Sequence, residues 1–331
     1  MTEAGKKPAI SVITPTYNRR ESVMRAVESV LLQTHTDFEH IVVDDGSTDG
    51  TIEALRALRD PRLVLLSLPG RQGANVARNA GIAAAHADIV TFLDSDDVFL
   101  PCRVHNTLAR FDADPDLELL ISSFATVRGA RRTLCANREG HVDGPILEKL
   151  LAMQVIFIAG SAITARRTSL VEIGVFDPEI QRMQDREMLL RFAQRCGALL
   201  SQEIDWTKHT SDDSISRQPH GYFDAYSTLL RKHPQLRKRY PGAVRYVAAS
   251  RLVQALTKGH FAEAMSGFRV NRSSSAMGYS LFQLAWSLLT DRRQRRELRT
   301  AHRAKIPAMA LSSDDRQVSP GLVLEPSADG R

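Results

Sequence analysis

Several absences narrow the classes to which this 331-residue chain can belong. No stretch reaches the roughly 18–20 uninterrupted apolar residues that a bilayer-crossing helix needs. The opening MTEAGKKPA carries no long apolar segment of the secretory type. These two absences lead to the expectation of a cytoplasmic protein, with a resting place on the inner face of the cytoplasmic membrane left open. Cysteine is scarce: Cys102, Cys135 and Cys196 are odd in number and lack paired spacing, which argues against a disulfide framework or a zinc site. The first β-strand is followed by no GxGxxG, and no GK[ST] phosphate loop occurs, so dinucleotide and P-loop readings are weak. A formal charge of +6 would suit a nucleic-acid partner only if it formed one footprint. Instead, seven Lys and Arg residues against two acids crowd into 291–305, far from the acidic clusters, so no specific nucleic acid is expected.

What is present is a globular composition with 43% hydrophobic residues and a regular alternation. AISVIT at 9–14, EHIVVDD at 39–45, RLVLLSL at 62–68 and DIVTFLD at 88–94 read as strands. Between them, 22–34, 51–59 and 73–87 have helical spacing; in the first, Val23, Ala26, Val27, Val30 and Leu31 form the apolar face. The β-α-β-α-β-α-β order predicts a mostly parallel sheet flanked by helices. Further on, 117–127 and 155–163 read as strands, 128–150 as polar and less regular, and 184–196 as a helix. Residues 216 to about 300 read as mainly helical, interrupted by Pro219, Pro234 and Pro241. The working division is a catalytic α/β unit over 1–215, a helical appendage over 216–305 and a disordered tail over 306–331.

Two acidic clusters close strands in the first hundred residues: VVDDGSTDG at 42–50 and VTFLDSDD at 90–97. The carboxyl edge of an open α/β sheet is where ligands bind, and unpartnered carboxylates there are costly. Asp44 and Asp45 can be turn residues satisfied by local N–H groups, or one of them can accept hydrogen bonds from a base or ribose. Asp94 and Asp96, separated by Ser95, can approach one small volume if the strand breaks between them. A divalent cation, Mn²⁺ or Mg²⁺, held with a nucleoside diphosphate would offset their repulsion.

With these motifs in place, the chain resembles a family 2 glycosyltransferase, an inverting enzyme of GT-A fold. The matching pieces are SVITPTYNR, VVDDGSTDGT, GANVARNAGI, FLDSDD, then QD in RMQDREMLLRF and WTKH, over about residues 9–215. The resemblance implies a nucleoside diphosphate sugar donor, a UDP-sugar foremost. It places Pro15, Thr16, Tyr17 and Asp45 at the nucleoside, and Asp94 and Ser95 on the ribose side. Asp96 falls at the metal, with His209 completing the metal shell or binding diphosphate. Arg78 and Asn79 fall near the sugar nucleotide, although the small residues around them equally suit helix–sheet packing. The catalytic base aligns with Asp185, which as a first-turn acid also suits capping alone. Gln184 stands where many relatives have Glu.

Gly160 and Ser161 can shape an acceptor pocket or simply end a strand. Trp206 can wall a sugar or fill the domain edge. The implied acceptor is a saccharide or lipid-linked saccharide. A nucleotidyltransferase and an inactive sugar-nucleotide-binding scaffold are the alternatives. Residues 279–299 join an aromatic apolar segment, YSLFQLAWSLL, to DRRQRRELR; core packing and contact with an anionic membrane both fit that pattern.

Overall fold

The computed structural model describes residues 7–209, 221–273 and 277–304. The expected tail over 306–331 therefore lies outside the described residues. Strands β1 (Ile10–Thr16) and β2 (Phe38–Asp44) are buried at every position, as apolar runs covered by helices on both faces are. Helix α1 (Arg20–Leu31) joins them and buries Val23, Ala26, Val27 and Val30, the stripe that its spacing predicts. The chain continues through α2 (Thr51–Ala57), β3 (Leu63–Ser67), α3 (Ala74–Ala84) and β4 (Ile89–Phe92).

These four strands pair in parallel in the order β3-β2-β1-β4. The chain thus builds outward from β1 on one side and then returns to its other side. The resulting crevice between β1 and β4 is a topological switch point, the place where open α/β sheets hold ligands. Register sets Thr16 opposite Asp44 and Asp44 opposite Ser67, so both acidic clusters emerge at the same sheet edge.

The second half differs from a simple continuation. After β5 (Val98–Phe99) and α4 (Arg103–Ala113), β6 (Leu119–Arg128) runs parallel to β10 (Ala198–His209), and β9 (Ile163–Arg166) lies antiparallel between β4 and β6. The stretch expected as a strand over 155–163 is strand only from Ile163. Gly160–Ala162 form a 3₁₀ turn, because Ser161 is drawn into side-chain bonding with the acidic loop. Residues 128–150 are more ordered than their polarity suggests. They contain β7 (Arg131–Cys135), β8 (Gly140–Val142) and α5 (Gly144–Ala152), whose cap residue Asp143 accepts the Ile146 N–H at 2.7 Å. Helix α6 (Arg167–Glu172) and α7 (Gln184–Arg195) complete this half.

Among the described residues, five helices follow: α8 (Tyr222–Lys232), α9 (Gln235–Arg239), α10 (Pro241–Thr257), α11 (Phe261–Ser273) and α12 (Leu281–His302). Helix α12 packs on α10 and is tied to the α/β unit where Arg295 donates to the carbonyls of Met153 and Gln154.

Candidate active site

The loops after β1, β2 and β3 are locked to one another. Asn18 accepts the Thr48 N–H at 2.7 Å, and its own N–H donates to Ser47 Oγ at 2.8 Å. Gly46 packs so closely on the next loop that a Cβ there would stand 2.8 Å from the Gly70 Cα. Asp45 accepts the N–H groups of Gln72 and Gly73 at 2.7 and 2.8 Å, fixing the N-terminus of α3. Its carboxylate is therefore already engaged by backbone, with lone pairs left over. Asp44 accepts the Ser47 N–H, while its Oδ1 and the Thr16 Oγ1 are buried without a partner. Pro15 is buried within β1 beside Val43, so it shapes the strand from inside. Tyr17 is half-buried, with the Arg71 guanidinium 4.8 Å from its ring centre.

The turn after β4 gathers charge. Arg78, buried on α3, donates to Asp94 at 2.6 Å and to Asn75 Oδ1 at 3.3 Å. Burial opposes its charge, but Asp94, Asp185 and Asp96 outweigh that and raise its pKa. Asp94 would pay for burial in the same way, yet Arg78, Lys208 and Arg19 hold it ionised below its ordinary range. Asp96 pairs with Arg19 at 2.8 Å. Ser95 is buried inside the turn.

Gly160 and Ser161 face this turn directly. A Cβ on Gly160 would meet Asp94 Oδ1 at 2.9 Å, so glycine is what lets the carboxylate settle there. Ser161, fully buried, accepts the Asp94 N–H at 3.0 Å and donates to Asp97 at 2.6 Å. Of the two places expected for Ser161, the hydroxyl takes the structural one, bracing the acidic turn. Trp206 takes the packing alternative of its two expected places. It is fully buried, stacks on Phe124 at 4.5 Å and donates its indole N–H to Ser122, so it belongs to the core of the sheet.

Asn79 is fastened at both ends of its amide. It donates to the Phe176 carbonyl at 2.8 Å and accepts the Phe176 N–H at 2.9 Å. Asn75 donates to the carbonyls of Asp177 and Ile180. Two amides on α3 thus clip the 176–180 loop, which leads into α7, and the amide of Asn79 is engaged there. Asp185 sits in the first turn of α7, after Gln184 and the left-handed Met183 (φ 64°). Burial raises the Asp185 pKa, and Asp94 adds to it against the pull of Arg78 and Lys208. Its Oδ1 is buried with no hydrogen-bond partner.

Three further residues stand with these: Asp97, which the sequence marks only as part of the second acidic cluster, and Lys208 and Arg19, which it does not single out. Asp97 is fully buried; desolvation pushes its pKa up to about 8 against the nearby Lys208, and it accepts the His209 N–H at 3.2 Å. Lys208 lies 3.8 Å from Asp97. Burial disfavours its charge, but Asp97, Asp94, Asp96 and Asp185 raise its pKa above the ordinary lysine value. Arg19 is the partner of Asp96. All three stand inside or beside recognised motifs, but their convergence requires β10 to lie next to β6 and β5. His209 ends β10, and burial, with Arg25 and Arg132, lowers its pKa despite Asp96.

Among the described residues, no three or more His, Cys, Asp or Glu side chains gather as a metal cage. Asp96 offers a carboxylate of the kind a hard cation takes beside a diphosphate, as Mg²⁺ commonly does, and His209 would add a nitrogen donor.

A switch-point crevice with strand-end acids, faced by a helix-borne carboxylate from the other half, defines a GT-A-type core. Residues 11–174 match the family described as glycosyl transferase family 2, and that family is the one to which this part of the chain belongs. The chain is 33% identical over 178 residues to an uncharacterized glycosyltransferase of Nostoc sp., covering 51% of this chain and 54% of that protein. It thus spans about half of that curated relative. Among solved structures, S. aureus TarS residues 1–349 in complex with UDP-GlcNAc superposes with a TM-score of 0.58 at 16% identity, covering 88% of this chain and 90% of that one. The mannosyltransferase of Pyrobaculum calidifontis in complex with GDP-Man and Mn²⁺ gives 0.57 at 18% identity, covering 89% and 84%. At such identities these structures establish the shared fold.

Proposed function

We propose that this protein is an inverting glycosyltransferase that moves a sugar from a nucleoside diphosphate sugar to an acceptor hydroxyl, in polysaccharide or glycoconjugate biosynthesis. The reading rests above all on Asp185: a carboxylate of raised pKa whose Oδ1 is buried and unpartnered, in the field of Asp94 and Arg78. A base of this kind is tuned toward neutral pH and still has a lone pair to receive a proton.

The donor enters the β1/β4 crevice. Thr16 Oγ1 and Asp44 Oδ1 are the buried polar atoms left for the nucleoside, beside the Asp45 and Tyr17 of the expected set. Arg78 holds Asp94 in place at the ribose side. Asp96 and His209 would hold Mn²⁺ or Mg²⁺, which when bound stabilises charge developing on the departing diphosphate. Asp96 must exchange Arg19 for that role. Asp185 then takes the proton of an acceptor hydroxyl as it attacks the anomeric carbon, opposite the leaving nucleotide. The acceptor is a saccharide or lipid-linked saccharide, lying on the α7 side with Gln184 at the rim. Residues 1–215 would form the catalytic unit and 216–305 its helical appendage.

The test is product analysis with a panel of UDP- and GDP-sugars, each with Mn²⁺ or Mg²⁺. Release of nucleoside diphosphate with an inverted anomeric centre in the product is expected. Release of inorganic diphosphate from a nucleoside triphosphate, or donor binding without turnover across the panel and an acceptor screen, would overturn the reading in favour of a nucleotidyltransferase or a scaffold.

A further inference from the structure

Helix α12 has one face committed to the protein and one that is not. Leu284 and Ser287 are buried against the fold. On the opposite side Phe282, Trp286 and Leu289 are 73%, 56% and 75% exposed, and the two aromatic rings stack at 6.0 Å. Positions 282, 286, 289, 293 and 296 follow the 4-3-4-3 spacing of a single helical stripe. That stripe is apolar through Leu289 and then becomes Arg293 and Arg296, both exposed. At 1.5 Å per residue it runs about 21 Å along the outer surface.

The basic half opens on a cleft of about 600 Å³ lined by Arg138, Arg293, Arg296, Glu297, Thr300 and Ala301. Arg293 pairs there with Glu297 at 2.9 Å, which leaves two further arginines to set the sign of the cleft. Core packing explains the buried face of α12 but leaves four large apolar side chains in water, Leu281 beside the three of the stripe, a cost that a contact surface removes.

We infer that this stripe docks the protein on an anionic lipid bilayer, with Phe282, Trp286 and Leu289 dipping into the acyl boundary and Arg138, Arg293 and Arg296 at the phosphate headgroups. An apolar stripe alone would suit a second copy of the chain equally well. Its continuation into arginines selects a surface that is apolar below and anionic above, as the bilayer interface is. No helix among the described residues is long and apolar enough to cross a membrane, so the contact is with one leaflet. The inference stands independently of the transfer reading, because it draws on no residue of the crevice.

Flotation of the full chain with phosphatidylcholine vesicles, with and without phosphatidylglycerol, tests it. Co-flotation is expected with the anionic vesicles and should weaken with salt. Arg293→Ala with Arg296→Ala should lower partitioning about 25-fold, at about fivefold per arginine. Phe282→Ala with Trp286→Ala should abolish it at unchanged circular dichroism, since both side chains are exposed. Failure of the parent chain to float, or equal flotation of parent and variants, would overturn the inference. So would a dimer in light scattering that Trp286→Ala dissolves without any vesicle binding. None of these readouts depends on sugar transfer, so the two proposals fail separately.

Discussion

Replacing Asp185 by Asn tests the chemistry most directly. The substitution is isosteric, keeps the start of α7 and removes only the charge and the proton-accepting ability. Loss of a positioned general base costs typically 10²–10⁴ in rate, or about 3–5 kcal/mol of transition-state stabilisation. Loss of a first-turn acid from a helix costs only about 0.3–1 kcal/mol of stability. Removing a buried carboxylate of raised pKa also relieves a desolvation penalty, so the variant should fold. Donor affinity should hold within a few-fold, because Asp94, Asp96 and the β1/β2 loops belong to other elements.

The pH dependence carries a sign. Burial raises the Asp185 pKa, so the base is protonated and idle at low pH, and activity rises as pH climbs through that raised pKa. The acid limb of kcat/KM, which reports the free enzyme, should therefore lie above the ordinary carboxylate range. In Asp185→Asn the residual rate should lose that limb. Transfer measured across pH, with donor binding by calorimetry alongside, reads both effects. Near-normal turnover in the variant would refute the assignment, as would a parent acid limb at the usual aspartate pKa.

Two structural predictions accompany it. Gly160→Ala places a methyl 2.9 Å from Asp94 Oδ1, so the carboxylate must shift from the buried Arg78; donor KM should rise about tenfold or more and the melting temperature should fall. Asn79→Ala removes both bonds to Phe176 and leaves a buried N–H and carbonyl unpaired, at about 1–3 kcal/mol each. It should lower the melting temperature and slow transfer through the loop that carries α7, while nucleoside diphosphate binding persists.

Much of the donor half was written into local pattern. The apolar runs of β1 and β2, the stripe on α1 and the acids that follow β2 and β4 are short-range signals, and their alternation implies a mostly parallel sheet; the β3-β2-β1-β4 order itself came from the tertiary structure. Local pattern also marked Asp185 as the entry to a helix. It could not say which neighbours each side chain would meet, because some come from more than a hundred positions away, as His209 does to Asp97. Asn79 reads as a site residue until the 176–180 loop is seen lying across it. Ser161 and Gly160 read as an acceptor wall until they are found beneath Asp94 and Asp97. Trp206 turns inward onto Phe124 and Ser122, which could not be read off β10 because its mixed polarity and irregular register against β6 leave no clear alternation. The same strand brings Lys208 into the acidic turn.

Sequence alone therefore determined the type of site and its sheet edge, since strand-end acids and helix starts are encoded within a few residues. Only the tertiary structure decided which of those residues remain open to a ligand and which brace the others. That division depends on burial and hydrogen-bond partners, which long-range packing assigns.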